Sequence, residues 1–183
     1  LTGDAAANQL DGGDGNDTLN GGGGADTLTG GGGVDSVDYA GSATGVTINL
    51  GTGIGTGGDA DGDVFVTIEN INGSGLADSL TGNTSANVLE GGVGNDTLAG
   101  GAGADTLTGG AGTDTASYAA SSVAVIVNLA SGTGSGGDAQ GDVLGEVENL
   151  IGSAGNDSLT GDTGANVLDG GSGNDTLNGG LGA

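Results

Sequence analysis

The chain has 183 residues, of which 48 are glycine and 24 are Asp or Glu, and it contains no Lys, Arg, His, Cys, Pro, Met or Trp. Because the formal charge of −24 has no internal counter-charge, nucleic acid and anionic membrane surfaces are poor partners. The absence of His and Cys excludes a thiolate nucleophile, a Ser-His-Asp triad and a zinc site built on those ligands, whereas hard oxygen ligands that suit calcium are abundant.

Apolar burial alone is a weak basis for folding this chain. Its only aromatic residues are Tyr39, Phe65 and Tyr118, and each of its many glycines loses more backbone freedom on ordering than other residues do. The composition therefore predicts disorder unless a further interaction stabilises the fold. No apolar run is long enough for membrane insertion.

A nine-residue unit, G-G-x-G-x-D-x-U-x with U apolar, begins at Gly12 and repeats directly at Gly21 and Gly30. Further copies begin at Gly91, Gly100, Gly109 and Gly170, and looser copies begin at Gly3, Gly73, Gly82, Gly152 and Gly161. In three of the looser copies Asn replaces the sixth-position Asp, at Asn8, Asn87 and Asn166. An amide carries no charge, so these three copies predict a weaker cation site or none.

A longer period lies over the short one, because Gly3, Gly82 and Gly161 recur at equal intervals. We therefore divide the chain into modules 3–81 and 82–160 and a partial module 161–183, with irregular segments 39–72 and 118–151. Fixed-period repetition is typical of a solenoid, in which each unit buries its face only against the next. We expect one continuous solenoid over residues 1–183, and a longer parent chain, because the pattern begins and ends within a module.

Each nonapeptide predicts a tight turn over its first six residues and a short strand over its last three, with the middle side chain inward. Two nonapeptides form one coil, so parallel strands recur at every second nonapeptide, with Leu19 above Val37 and Leu98 aligned with Ala116. The turns stack in the same way, and Asp17 lies over Asp35. Carboxylates this close repel each other unless a cation lies between them, so we expect several Ca²⁺ ions in the stack.

The G-G-x-G-x-D-x-U-x nonapeptides resemble the RTX (repeats in toxin) repeats of the haemolysin-type calcium-binding family. The resemblance implies an all-β fold, a right-handed parallel β-roll or β-helix solenoid with calcium ions between glycine-rich turns. It also implies a bacterial protein that is disordered in the calcium-poor cytosol and folds after type I secretion. The family's carboxylate ligands correspond to Asp17, Asp26, Asp35, Asp78, Asp96, Asp105, Asp114, Asp157 and Asp175. Its turn carbonyls correspond to Gly13, Gly15, Gly22, Gly24, Gly92, Gly94, Gly101 and Gly103.

The irregular segments predict strands at 46–50 and 64–68, repeated at 125–129 and 143–147, from the alternation of apolar residues. Between each pair lies an acidic loop that resembles half of an EF-hand loop in spacing. The carboxylates of these two loops predict either a further calcium site or an acidic solvated loop. They are Asp59 and Asp63 in the first loop and Asp138 and Asp142 in the second. For Glu69 and Glu148 we favour solvated side chains over metal ligands or catalytic acids.

Three classes of function remain open. We favour a calcium-dependent structural rod without enzymatic activity, at a bacterial cell surface or in a matrix, as an adhesin or filament segment that can associate end to end. The first alternative is a calcium-folded secretion or stabilising module attached to a secreted enzyme. An ice- or polysaccharide-binding solenoid has less support, since no aromatic or regular Thr face is present. The outward Thr residues, such as Thr18 and Thr27, suit β-strands for structural reasons alone.

Overall fold

The computed structural model describes residues 1–182, and within this range it contains two ten-stranded sheets, two short 3-10 helices and no α-helix. The first sheet has the order β1 (Gln9–Asp14), β3 (Thr27–Gly32), β7 (Val64–Val66), β6 (Ile54–Thr56), β5 (Thr47–Asn49), β9 (Ser79–Thr81), β11 (Thr97–Ala99), β13 (Thr115–Ser117), β17 (Asn149–Ile151), β19 (Leu168–Asp169). The second has the order β2 (Thr18–Leu19), β4 (Ser36–Asp38), β8 (Asn70–Asn72), β10 (Val88–Gly94), β12 (Thr106–Gly112), β16 (Val143–Gly145), β15 (Thr133–Ser135), β14 (Ile126–Asn128), β18 (Ser158–Thr160), β20 (Thr176–Asn178). The 3-10 helices are Gly58–Ala60 and Gly137–Ala139. None of the described residues forms a helix that could cross a membrane.

The nonapeptide strands alternate between the two sheets, and within a run of nonapeptides each strand pairs in parallel with the strand two nonapeptides before it. Leu19 is aligned with Val37, and Leu98 with Ala116, as the sequence predicts. These four apolar side chains are fully buried in one core that both sheets share. The all-β solenoid is therefore confirmed, with a core built as ladders of the middle strand residue.

The irregular segments interrupt the parallel pairing. In the first, β5, β6 and β7 form an antiparallel meander, in which β7 also pairs in parallel with β3 and β5 with β9. These antiparallel pairs differ from the strands predicted from the sequence, which include none at 54–56 or at its counterpart 133–135. Phe65 on β7 is buried in the core, where its ring lies edge to face with that of Tyr39 at a distance of 6.3 Å between ring centroids.

Successive modules exchange sheets. Strands β1, β5 and β9 lie in the first sheet, whereas their counterparts in the next module, β10, β14 and β18, lie in the second. In the first module the meander places three strands of the first sheet between β3 and β9, while the second sheet has only β8 between β4 and β10. The second module reverses this difference, so two modules restore equal numbers of strands to the two sheets.

Candidate metal centre

The stacked turns place the sixth-position carboxylates in two ladders, one for the turns that lead into each sheet. In each ladder, an Asp accepts a hydrogen bond from the backbone N–H of the sixth residue in the coil before it. Asp35 Oδ1 accepts from the Asp17 N–H at 2.8 Å, and Asp96 Oδ1 accepts from the Asp78 N–H at 2.8 Å. Asp114, Asp26, Asp105 and Asp175 accept in the same way, at 2.7–2.9 Å.

In six of the sixth-position Asp residues, the Oδ2 atom has no hydrogen-bond partner. It is buried without a hydrogen bond in Asp17, Asp26, Asp35, Asp96, Asp105 and Asp114. Burial raises the pKa of Asp96 and Asp105, because an ionised carboxylate is poorly solvated there. An unpaired buried anion strongly destabilises a fold, and an oxygen-binding dication beside it removes that penalty. These residues therefore fit calcium.

Backbone oxygens are the other donors that the turns provide. The eight glycines predicted to supply carbonyl ligands all have φ between +81° and +147°. At Gly31 a Cβ atom would overlap the carbonyl oxygen of Gly13 one coil away, which shows how closely successive turns stack. Within residues 1–182, no group of three or more Asp or Glu side chains converges on one point. The further oxygen ligands of a calcium ion in the stack would therefore be backbone carbonyls or water.

Asp78 and Asp157 belong to the ladders but differ from the six residues with a free oxygen. Asp78 accepts from the N–H and the hydroxyl of Ser74, at 2.5 and 2.7 Å, and Asp157 accepts from Ser153 at 2.6 Å in both bonds. Asp175 lies in the last turn and is partly exposed. The predicted carboxylate ligands thus fall into groups with different surroundings.

The acidic loops of the irregular segments are not solvated throughout. Asp63 and Asp142 are buried, and each continues a ladder by accepting the N–H of Asp26 or Asp105. Their other oxygens accept the hydroxyls of Tyr39, at 2.5 Å, and of Tyr118, at 3.0 Å. Burial raises the pKa of Asp63, and it raises that of Asp142 to about 6. A solvated loop is therefore a wrong expectation for these two residues.

The rest of each loop is held by local hydrogen bonds. The backbone N–H groups of Asp59 and Asp138 donate to the hydroxyls of Ser42 and Ser121, at 3.1 and 3.2 Å. Asp61 accepts the Gly57 N–H, and Gln140 accepts the Gly136 N–H in the same position of the second module. The amide of Gln140 makes the same hydrogen bond as the carboxylate of Asp61, so the bond does not require a charge. This supports a structural role for the side chain at this position.

Glu69 and Glu148 also lie in the ladders, although they are outside the nonapeptide consensus. Glu69 Oε2 accepts the Asp35 N–H at 2.8 Å, and Glu148 Oε2 accepts the Asp114 N–H at 2.8 Å. Both are half-buried, so free solvation is a wrong expectation for them. The sequence does contain a sign of this role, because both residues recur at equivalent positions of the two modules. Each lies directly before a strand, β8 or β17, at the position where a nonapeptide has its Asp.

Comparison with known families matches four copies of the RTX calcium-binding nonapeptide repeat, at residues 2–37, 72–107, 81–116 and 151–183. The chain belongs to the RTX repeat family. The matches cover more than half of the chain and leave out residues 38–71 and 117–150, which contain all but the last residue of each irregular segment. Comparison with curated proteins gave no match. This RTX chain is thus a calcium-binding β-roll module of a kind typical of secreted bacterial proteins.

Proposed function

We propose that this RTX chain is a structural rod segment of a secreted protein and that extracellular calcium drives its folding. The observation that carries the proposal is the set of buried carboxylate oxygens without partners, of which those of Asp35 and Asp114 belong to side chains with 0% exposure. With a charge of −24 and no basic residue, the chain cannot neutralise them itself. Metal-binding free energy then becomes folding free energy.

The rod part of the proposal is supported by the way in which one module continues into the next. Strand β8 of the first module pairs with β10 of the second, and β9 pairs with β11. The junction therefore uses the same backbone ladder as the interior of a module, so further modules can extend both sheets. Such a segment suits a surface layer, a matrix, an adhesin or a filament, and its end strands offer edges for end-to-end association.

We also propose that the segment itself has no enzymatic activity. Its buried carboxylates accept backbone N–H groups within the turn ladders, and those of Asp63 and Asp142 are in addition held by tyrosine hydroxyls. This arrangement supports a role for the acidic residues in cohesion.

Circular dichroism tests the folding proposal directly. We expect a coil spectrum in excess chelator and a β spectrum in millimolar calcium, with a cooperative transition between them. Magnesium should substitute poorly, because it demands tighter octahedral geometry than flexible carbonyl turns offer. Retention of the β spectrum after exhaustive chelation would contradict the proposal.

A further inference from the structure

The twelve six-residue turns that precede nonapeptide strands are of two kinds. Seven begin with Gly-Gly, and the second glycine has φ between +77° and +110°. We name these the open turns: 12–17, 21–26, 30–35, 91–96, 100–105, 109–114 and 170–175. Five have Ser, Asn or Asp as the second residue, none of them with positive φ. We name these the closed turns: 3–8, 73–78, 82–87, 152–157 and 161–166.

In every closed turn, the backbone N–H of the second residue donates to the side chain of the sixth. The five pairs are Asp4 with Asn8, Ser74 with Asp78, Asn83 with Asn87, Ser153 with Asp157 and Asp162 with Asn166, at 2.5–2.8 Å. No open turn within residues 1–182 has this bond, and all six buried oxygens without partners belong to open turns. A closed turn therefore satisfies its sixth residue internally, whereas an open turn does not.

The chemistry of the sixth residue follows the same division. All seven open turns have Asp there, whereas three of the five closed turns have Asn. In the closed turns the second side chain also matches the sixth: the Ser74 hydroxyl donates to Asp78, while the amide of Asn87 donates to Asn83 at 3.3 Å. An acidic sixth residue is thus present in every open turn, but in only two of the five closed turns.

We propose that calcium is bound through the carboxylates of the open turns only, and that the second residue of each turn decides this. The proposal rests on the calcium-driven folding proposed above and specifies which parts of the chain it involves. Three consecutive open turns and their strands fill residues 12–38 and again 91–117. The intervening residues 39–90 contain an irregular segment and two closed turns, and they hold no buried carboxylate oxygen without a partner. One full period of the long repeat therefore consists of a shorter calcium block, 12–38, and a longer calcium-independent block, 39–90.

Asp78 and Asp96 provide a matched test, because they lie in the same ladder one coil apart. They are 5% and 1% exposed, and each accepts a backbone N–H through Oδ1, from Val46 at 2.7 Å and from Asp78 at 2.8 Å. Asp→Asn keeps that acceptor and removes the charge, but at position 78 it also replaces the Oδ2 acceptor of the Ser74 N–H with an NH2 group. We expect Asp96→Asn to raise the calcium concentration at the folding midpoint on the order of tenfold, and Asp78→Asn to change it by less than about twofold.

A second variant protects the test against simple misfolding of the 73–78 turn. The double substitution Ser74→Asn with Asp78→Asn copies the second and sixth residues of the natural closed turn 82–87, where Asn83 and Asn87 bond to each other. This variant should fold at the same calcium midpoint as the parent, and calorimetric titration should find the same number of bound ions.

The outcomes separate this inference from the broader proposal. Equal increases of the midpoint in Asp96→Asn and in the double variant would overturn the division into two kinds of turn, while calcium-driven folding would stand. If neither Asp96→Asn nor the double variant changes the midpoint, the Asp96 carboxylate does not bind calcium and the division into two kinds of turn fails, while calcium-driven folding stands. If the parent folds in chelator, both proposals fail.

Discussion

At the scale of single residues, the buried Tyr118–Asp142 pair shows how hydrogen bonds hold a buried carboxylate. Asp142 accepts one hydrogen bond from the Asp105 N–H and another from the Tyr118 hydroxyl. Burial still raises its pKa from 3.8 to about 6, so the folded protein binds this proton more tightly than the unfolded chain does. The group therefore disfavours folding above pH 6, and this penalty is relieved as the pH falls through 6 toward 3.8.

Asp142→Asn should raise the thermal midpoint of the calcium-loaded protein by a few degrees at alkaline pH, and by less below pH 6. The amide can still accept the Asp105 N–H and can donate to the tyrosine oxygen, but it carries no buried charge. Thermal unfolding of variant and parent in saturating calcium, at both pH values, measures the difference. Tyr118→Phe should act in the opposite direction, because it removes a donor to the ionised carboxylate. A calcium midpoint raised by Asp142→Asn would instead identify Asp142 as a ligand.

At the scale of elements, the short turn that ends in Glu69 replaces a full nonapeptide turn with half the residues. A Cβ atom on Gly12 would meet the Gly30 carbonyl oxygen at 2.5 Å, and one on Gly30 would overlap the Thr67 carbonyl oxygen. Thr67 thus occupies the place of the first turn residue, with φ of +48°, and Glu69 occupies that of the sixth. The additional methylene of Glu, compared with Asp, lets the shorter turn reach the same backbone N–H.

Glu69→Asp should therefore be more damaging than Glu69→Gln. The shorter side chain cannot reach the Asp35 N–H, and the loss of one hydrogen bond of this kind costs about 1 kcal/mol, or roughly 2–4 °C in thermal midpoint for a chain of this size. Gln keeps both the length and an acceptor oxygen, so its midpoint should stay close to that of the parent. Thermal unfolding in saturating calcium compares the two. If Gln is as harmful as Asp and also raises the calcium midpoint, the carboxylate of Glu69 binds an ion.

The sequence predicts the regular elements closely because one periodicity fixes them. The turn and strand of each nonapeptide, the inward side chain and the register between alternate nonapeptides follow from glycine, Asp and Leu at constant spacing, as in the pairing of Leu19 with Val37. The strand Ile54–Thr56 could not be predicted in this way, since a single exposed Ile and a Gly show no alternation. The role of Glu69 and the Tyr39–Asp63 bond depend on which strands the meander brings together, and local sequence does not specify this.

At the scale of the whole molecule, the exchange of sheets makes two modules the true repeating unit. Each meander adds two extra strands to one sheet, which alone would bend the stack toward the other sheet. Because the next meander adds its strands to the opposite sheet, the two effects oppose each other, and each sheet has ten strands. A chain of many modules can therefore extend in one direction, with successive meanders placed alternately in the first and the second sheet.

The length of that extension can be predicted from the sheets. Leu10 and Leu168 are equivalent residues two modules apart, and their strands β1 and β19 are the first and last of the first sheet, nine steps apart. At about 4.8 Å per step, two modules span about 43 Å. The same nine steps separate β2 and β20 in the second sheet.

Small-angle scattering in calcium should therefore show a maximum dimension that grows by about 43 Å for each added pair of modules, with a constant cross-section. Chelator should replace this rod with the scattering of an expanded coil, because the charge of −24 is then uncompensated. The same measurement over a range of protein concentrations tests end-to-end association, which would lengthen the particle without thickening it. A maximum dimension that fails to grow with added modules would contradict the rod. Growth with module number but not with concentration would retain the rod and remove only the association.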